Sequence, residues 1–201
     1  MKCTLPYIGI LCTMPLLAHQ PHLVESDTTI VHNPEVSQAF YATHPGTYII
    51  EESQPFILYV QLLRPKIGEL DKNIKATITQ DSKIIALLDG NNGAWTFFHE
   101  PFANDDYYQG PEFSADAQGK YIVTVEGDGK YVLVVGTKEE WPPSVIIRTL
   151  YTLPRLKIYF EKSPLLAYWN ISGAFAFGSI ALTAAALLLI RFFLKKYYIK
   201  K

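Results

Sequence analysis

KYIVTVEGDGKYVLVVG, residues 120–136, is the stretch on which the reading of the fold turns. Tyr121, Val123 and Val125 alternate with Ile122, Thr124 and Glu126, the period of two that belongs to a strand. A second apolar run, Tyr131 to Val135, follows Gly127-Asp128-Gly129, residues that reverse a chain at low steric cost. The pair predicts a β-hairpin. Working outward, the same texture recurs in TYIIE (47–51), FILYVQLL (56–63), NIKATITQ (73–80), KIIALL (83–88) and AWTFFH (94–99). Each run is short and rich in β-branched or aromatic residues, and turn signals (His44-Pro45-Gly46, QDSK, DGNNG) separate them. Seven to eight short antiparallel strands with no helical stretch between them predict a mainly β protein, a sandwich over residues 30–141.

The C-terminal third has a different texture. LLAYWNISGAFAFGSIALTAAALLLI, residues 165–190, carries no charge and is long enough as a helix to cross a hydrocarbon core of about 30 Å. The tail 191–201 holds Arg191, Lys195, Lys196, Lys200 and Lys201 without an acidic residue, which places it in the cytoplasm and the sandwich outside. Tyr168 and Trp169 before the span, and Arg191, Lys195 and Lys196 after it, are its expected interface anchors in the lipid bilayer. Residues 1–18, MKCTLPYIGILCTMPLLA, have the basic start and apolar run of a secretory signal peptide, whose cleavage stays open. Residues 19–29 are expected to be a mobile segment. Both cysteines, Cys3 and Cys12, fall within 1–18, so the sandwich must hold together through its core without disulfides.

Charge divides along the chain. Residues 19–143 carry 18 acidic against 8 basic side chains, a balance that repels nucleic acid phosphates. The stem over 142–164, PPSVIIRTLYTLPRLKIYFEKSP, is basic and amphipathic. Pro142-Pro143 ends the last strand, Ser144 is placed to cap a helix, and Pro154 is placed to break or kink it. Two readings stay open for this stem: it lies in the membrane interface with Arg148, Arg155 and Lys157 reaching phosphates, or it packs back onto the sandwich.

EPFANDDYYQGPEFSADAQG (100–119) interrupts the strand rhythm and reads as a long loop, the kind of segment that carries function. Asp105, Asp106 and Glu112 are the candidate calcium ligands, against the reading of a solvated acidic loop. Trp95, Tyr107, Tyr108 and Phe113 are the candidate platform for a sugar or peptide, against the reading that they cover one end of the sandwich. No nucleophile elbow, paired-histidine helix or phosphate-cradling glycine loop occurs. The expected function is therefore a membrane-anchored extracytoplasmic binding or accessory module that recognises an envelope protein or glycan and catalyses nothing. The alternative is a hydrolase using two of Glu100, Asp105, Asp106 and Glu112 as acid and base.

NPEVSQAFY (33–41), SQPFILYVQLLRP (53–65), the segment EPFANDDYYQGPEF and the strand GKYVLVVG together resemble a group of uncharacterised bacterial envelope proteins. That resemblance implies an exported sandwich, a proline-bearing stem and a C-terminal span, with no assigned activity. More loosely, the sandwich is similar to pre-peptidase C-terminal domains, whose roles are accessory.

Overall fold

The computed structural model describes residues 19–199. The signal peptide expected over residues 1–18 and the last two lysines of the tail lie outside the described residues. Nine strands form one mixed, mostly antiparallel sheet, followed by two helices. The strands are β1 (Gln20–Leu23), β2 (Thr28–Val31), β3 (Gln38–Ala42), β4 (Gly46–Pro65), β5 (Ile74–Gln80), β6 (Lys83–Asp89), β7 (Thr96–Glu100), β8 (Asp105–Gly127) and β9 (Tyr131–Val135). The helices are α1 (Pro143–Tyr159) and α2 (Ile171–Ile199), with a 3-10 turn over Pro164–Tyr168 between them.

The facing layers expected of a sandwich are two halves of this single sheet. β4 and β8 are long enough to belong to both. The first half of β4, Gly46–Glu52, pairs with β2 and with Gly119–Val125 of β8, and β8 continues to β5 and β6. The second half of β4, Phe56–Pro65, pairs with Tyr107–Ala117 of β8 and with β9, which continues to β3 and β1. The fold line is chemical in origin. The register shifts between Glu52 and Phe56, where Ser53-Gln54-Pro55 intervene and Pro55 has no N–H for the ladder. Opposite it, Gly119 sits at φ +91°, and the Gln118 side-chain amide donates to the Ser53 carbonyl at 2.8 Å.

The interior between the layers is apolar. Phe40, Tyr48, Ile50, Leu58, Leu62, Ile78, Val123, Leu133 and Val135 are buried in one cluster. The Tyr48 and Tyr131 hydroxyls meet at 3.1 Å, and the Phe40 ring meets Tyr48 edge-on with centroids 5.5 Å apart. Those contacts join the first half of β4 to β3, which does not pair with β4, and to β9, which pairs only with its second half, so the layers face one another through side chains.

Here the expected hairpin is overturned. β8 and β9 do not pair; the second half of β8 lies beside the first half of β4, whereas β9 lies beside the second. The Gly127-Asp128-Gly129 turn is an arch between layers. Arg64, at the end of β4 and only 5% exposed, fills it. Its guanidinium donates to the carbonyls of Asp128 (2.8 Å), Lys130 (2.8 Å), Asn73 (3.2 Å) and Asp71 (3.0 Å). Gly127 has φ +128°, and a Cβ there would lie 2.4 Å from the Asn73 carbonyl oxygen. Gly127→Ala is expected to cost at least about 2 kcal/mol, read as a lowered denaturation midpoint at unchanged slope.

Other expectations also change. Residues 20–23, expected to be mobile, form β1 and pair in parallel with β3. Residues 105–119, expected as loop, are the first half of β8. Pro154 does not break α1, and Pro142 rather than Ser144 stands at its N-cap. The uncharged segment does not start as one helix at Leu165: a 3-10 turn precedes Asn170, whose side chain accepts from the Gly173 amide at 2.9 Å and opens α2. Among the described residues no helix is long and apolar enough to cross a membrane; several α2 side chains lie outside that description.

Candidate functional site

The acidic segment builds a junction. β7 and β8 run antiparallel, and Pro101–Asn104 turns between them, with Asn104 at φ +59°. Glu100 closes the turn: its carboxylate accepts from the amides of Phe102 (2.9 Å) and Ala103 (2.6 Å). Its burial pushes the Glu100 carboxyl above its usual range, while those two amides act the other way. The Ala103 carbonyl accepts from Lys157 of α1 and from the Asn170 side chain at 3.2 Å.

Asp105 completes the arrangement. One carboxylate oxygen accepts from Lys157 at 2.7 Å and the other from Lys162 at 2.8 Å. The Asp105 and Lys157 side chains are each 1% exposed. Burial holds the Lys157 ammonium below its ordinary range, opposed by Asp105. Two cations and two carboxylates, counting Glu100, leave the cluster neutral, the condition under which buried charges persist.

The surroundings explain why Lys157 is drawn in. α1 lies on the outer side of the β1–β3–β9–β4 half, and Leu153, Leu156, Tyr159 and Phe160 pack there against Ala39, Tyr41, Leu63, Tyr107, Val132 and Val134. The Tyr41 and Tyr107 hydroxyls bond at 2.8 Å beside the ion cluster. Positions 150, 153, 157 and 160 form one helical stripe, so Lys157 occupies a core position between Leu153 and Phe160. That placement in the stripe was the signal available in the sequence. Of the two readings of the stem, the structure favours packing onto the sandwich. Arg148 donates to Gln20 at 3.4 Å and Arg155 to Glu25, so all three basic heads read as phosphate ligands bind the body.

The remaining candidate residues are dispersed. Asp106 pairs with His99 at 2.7 Å, and Glu112 accepts from Tyr59 at 2.7 Å and Gln61 at 3.3 Å. With Asp105 taken by two lysines, these three carboxylates do not converge, and the described residues contain no group of three or more His, Cys, Asp or Glu able to hold a metal ion. Trp95 donates to the Gly90 carbonyl at 2.8 Å and, like Phe113, packs against the interlayer core. Tyr107 is buried on the opposite side, under α1. Tyr108 stands across from Phe97 on β7. A register shift near Gln61 separates Tyr107 from Phe113 and changes the face presented, so the four aromatics form no common platform. Among the anchors, Tyr168 donates to the Leu150 carbonyl at 2.9 Å while Trp169 is exposed. Arg191 and Lys195 lie exposed on α2, and the Lys196 side chain lies outside the described residues.

A feature not read from the sequence lies at the other edge. A groove of about 770 Å³ opens between β1 and β2, with His22, Ile30, Gln38, Phe40, Pro142 and Arg148 among its walls. The His22 ring stacks on Phe40 with centroids 5.0 Å apart. Burial, and then the Arg148 charge, lower the His22 pKa to about 4, and burial does the same for His19. A histidine whose native pKa lies below its unfolded value binds fewer protons when folded, so acid favours unfolding. Stability is therefore expected to fall between about pH 6.5 and pH 4, by up to about 1.4 kcal/mol per unit for each histidine. Denaturation midpoints across that range check this, and His22→Asn should flatten the dependence.

No protein-family model matches the chain, and no curated protein matches it. Among solved structures it is similar to the pre-peptidase C-terminal domain of a collagenase from Bacillus anthracis, at 12% identity and a TM-score of 0.31, over 60% of this chain and 97% of that one. This is a distant structural similarity.

Proposed function

We propose that the protein is a membrane-anchored, extracytoplasmic binding module whose body is held at the bilayer by α2 and which recognises an envelope partner without catalysis. The carrying observation is the exposure of α2. Leu182, Leu187, Leu188, Leu189 and Ile190 are each more than half exposed, on a helix whose first twenty residues carry no charge. Apolar side chains around a helix need apolar surroundings. In the sequence, with the α2 side chains outside the description counted in, the uncharged run from Ile171 to Ile190 spans about 30 Å as a helix, the thickness of a hydrocarbon core. Exposed Leu165, Leu166 and Trp169 cluster just before it, and Ile147, Tyr151 and Ile158 form an exposed stripe on α1. An aromatic and apolar end on the body suits a headgroup boundary.

Non-catalytic action is supported by how the acidic residues are used. Asp105 neutralises two lysines and Glu100 closes a turn, which leaves neither as acid or base. The β1–β2 groove, within the usual volume of a ligand site and combining an apolar wall with Arg148, is the proposed place of recognition.

Topology is the first test. In intact cells expressing the full chain, the body should be cleaved by external protease and the α2 end should stay protected, with the protein resisting alkaline extraction. Extraction into the alkaline soluble fraction, or a protected body, sinks the reading. Arg148→Ala should then reduce recovery of cross-linked envelope partners, and unchanged recovery would remove the groove from the proposal.

A further inference from the structure

We propose that the sheet face formed by β2, the first half of β4, the second half of β8, β5 and β6 docks on a second copy of this chain. α1 lies on the opposite half of the sheet. The pairing registers align two uncharged rows across this face. One row is Ile30–Ile49–Ile122–Thr79–Ile84, and the next is Thr28–Thr47–Thr124–Thr77–Leu87. Alternation along each strand turns these rows away from the interlayer core, where Tyr48, Ile50, Val123, Val125, Ala76 and Ile78 point. Ile84 is 70% exposed, Ile30 60% and Leu87 55%. Five strands carrying an isoleucine row with no covering layer form an apolar patch of the kind that marks an interface.

Charge selects the occupant. The rows are framed on one side by Glu126, Lys75 and Asp89 and on the other by Glu51 and Lys120. A two-fold axis lying in the face and running across the strands brings the isoleucine row onto the threonine row of the second copy. The same rotation sets Lys120 over Glu126 of the second copy and Glu126 over its Lys120. Neither residue has an ion-pair partner among the described residues. Two complementary pairs thus arise from one residue pair, the mark of an isologous contact. Five strands at about 4.8 Å and six residues at about 3.4 Å give a face of about 24 by 20 Å, so two copies bury on the order of 1,000 Å². That is the lower end of a specific interface, and the dimer is weak and reversible.

The experiment is sedimentation of the full chain in a density-matched detergent over a wide concentration range. Wild type should pass from monomer to dimer as concentration rises. Lys120→Glu and Glu126→Lys should each weaken self-association about ten-fold or more, because each places like charges across both pairs. An equimolar mixture of the two variants should regain wild-type association, since each then finds its complement. Lys120→Glu faces Glu51 and Glu126→Lys faces Lys75 within one sheet, so a slightly lowered midpoint is expected and a cooperative thermal transition confirms that each fold is intact. Thr124→Glu, opposite Thr47 and Thr77, disrupts the centre of the face without a like-charge neighbour in its own sheet. A wild type that stays monomeric, association that survives both reversals, or a mixture that does not recover would each overturn the proposal.

Discussion

Asp105→Ala should destabilise the protein by about 3–5 kcal/mol, the largest single effect expected here. Removing this carboxylate leaves the Lys157 ammonium with 1% of its side chain exposed and only the Ala103 carbonyl to accept from it. Chemical denaturation of the full chain in detergent reads the loss directly. The companion variants separate burial from pairing. Lys162→Ala, at a side chain about one-third exposed, should cost about 1 kcal/mol or less. Asp105→Leu combined with Lys157→Met should recover most of the stability, since a matched apolar pair removes both desolvated charges. Failure of the double variant to recover would mean that the ions are needed for the geometry of the Pro101–Asn104 turn as well.

Arg64→Ala should follow closely, at about 3–5 kcal/mol. Four carbonyls converge on its guanidinium, from Asp71, Asn73, Asp128 and Lys130, and truncation leaves them facing a void at the arch. Arg64→Lys should retain less than half of the stabilisation, because one ammonium cannot reproduce a planar fork aimed at separate loops. Hydrogen exchange distinguishes local from global loss. In Arg64→Ala the amides of residues 71–74 and 127–130 should exchange first, while β9, bonded to β3 and β4 on both edges, stays protected.

These two variants also mark where reading the sequence stops. Alternation identified the second half of β8, and β-branched and aromatic content between turn signals identified β5, β6, β7 and β9, since both signals depend only on local backbone geometry. Neither signal identified their partners. YVLVV is apolar at every position, and all five residues are buried, as befits a central strand covered on one face by the facing layer and on the other by α1. That run carried the information that β9 sits inside the molecule and is no simple hairpin arm. EFSADA likewise alternates with period two, and the carboxylates around it hid a strand behind the appearance of a loop.

Sequence alone determined that the protein is mainly β, that an uncharged helical segment follows a basic stem, and that no disulfide serves residues 19–199. Each of these is a property of composition or short-range periodicity. Only the tertiary structure decided that a glycine turn is an arch, that β4 and β8 fold one sheet over itself, and that Asp105 belongs to two lysines more than fifty residues away. The physical reason is the same in each case. A buried polar group must find a partner wherever the packed chain brings one, and that choice is made across the fold by desolvation and geometry, at distances no local pattern records.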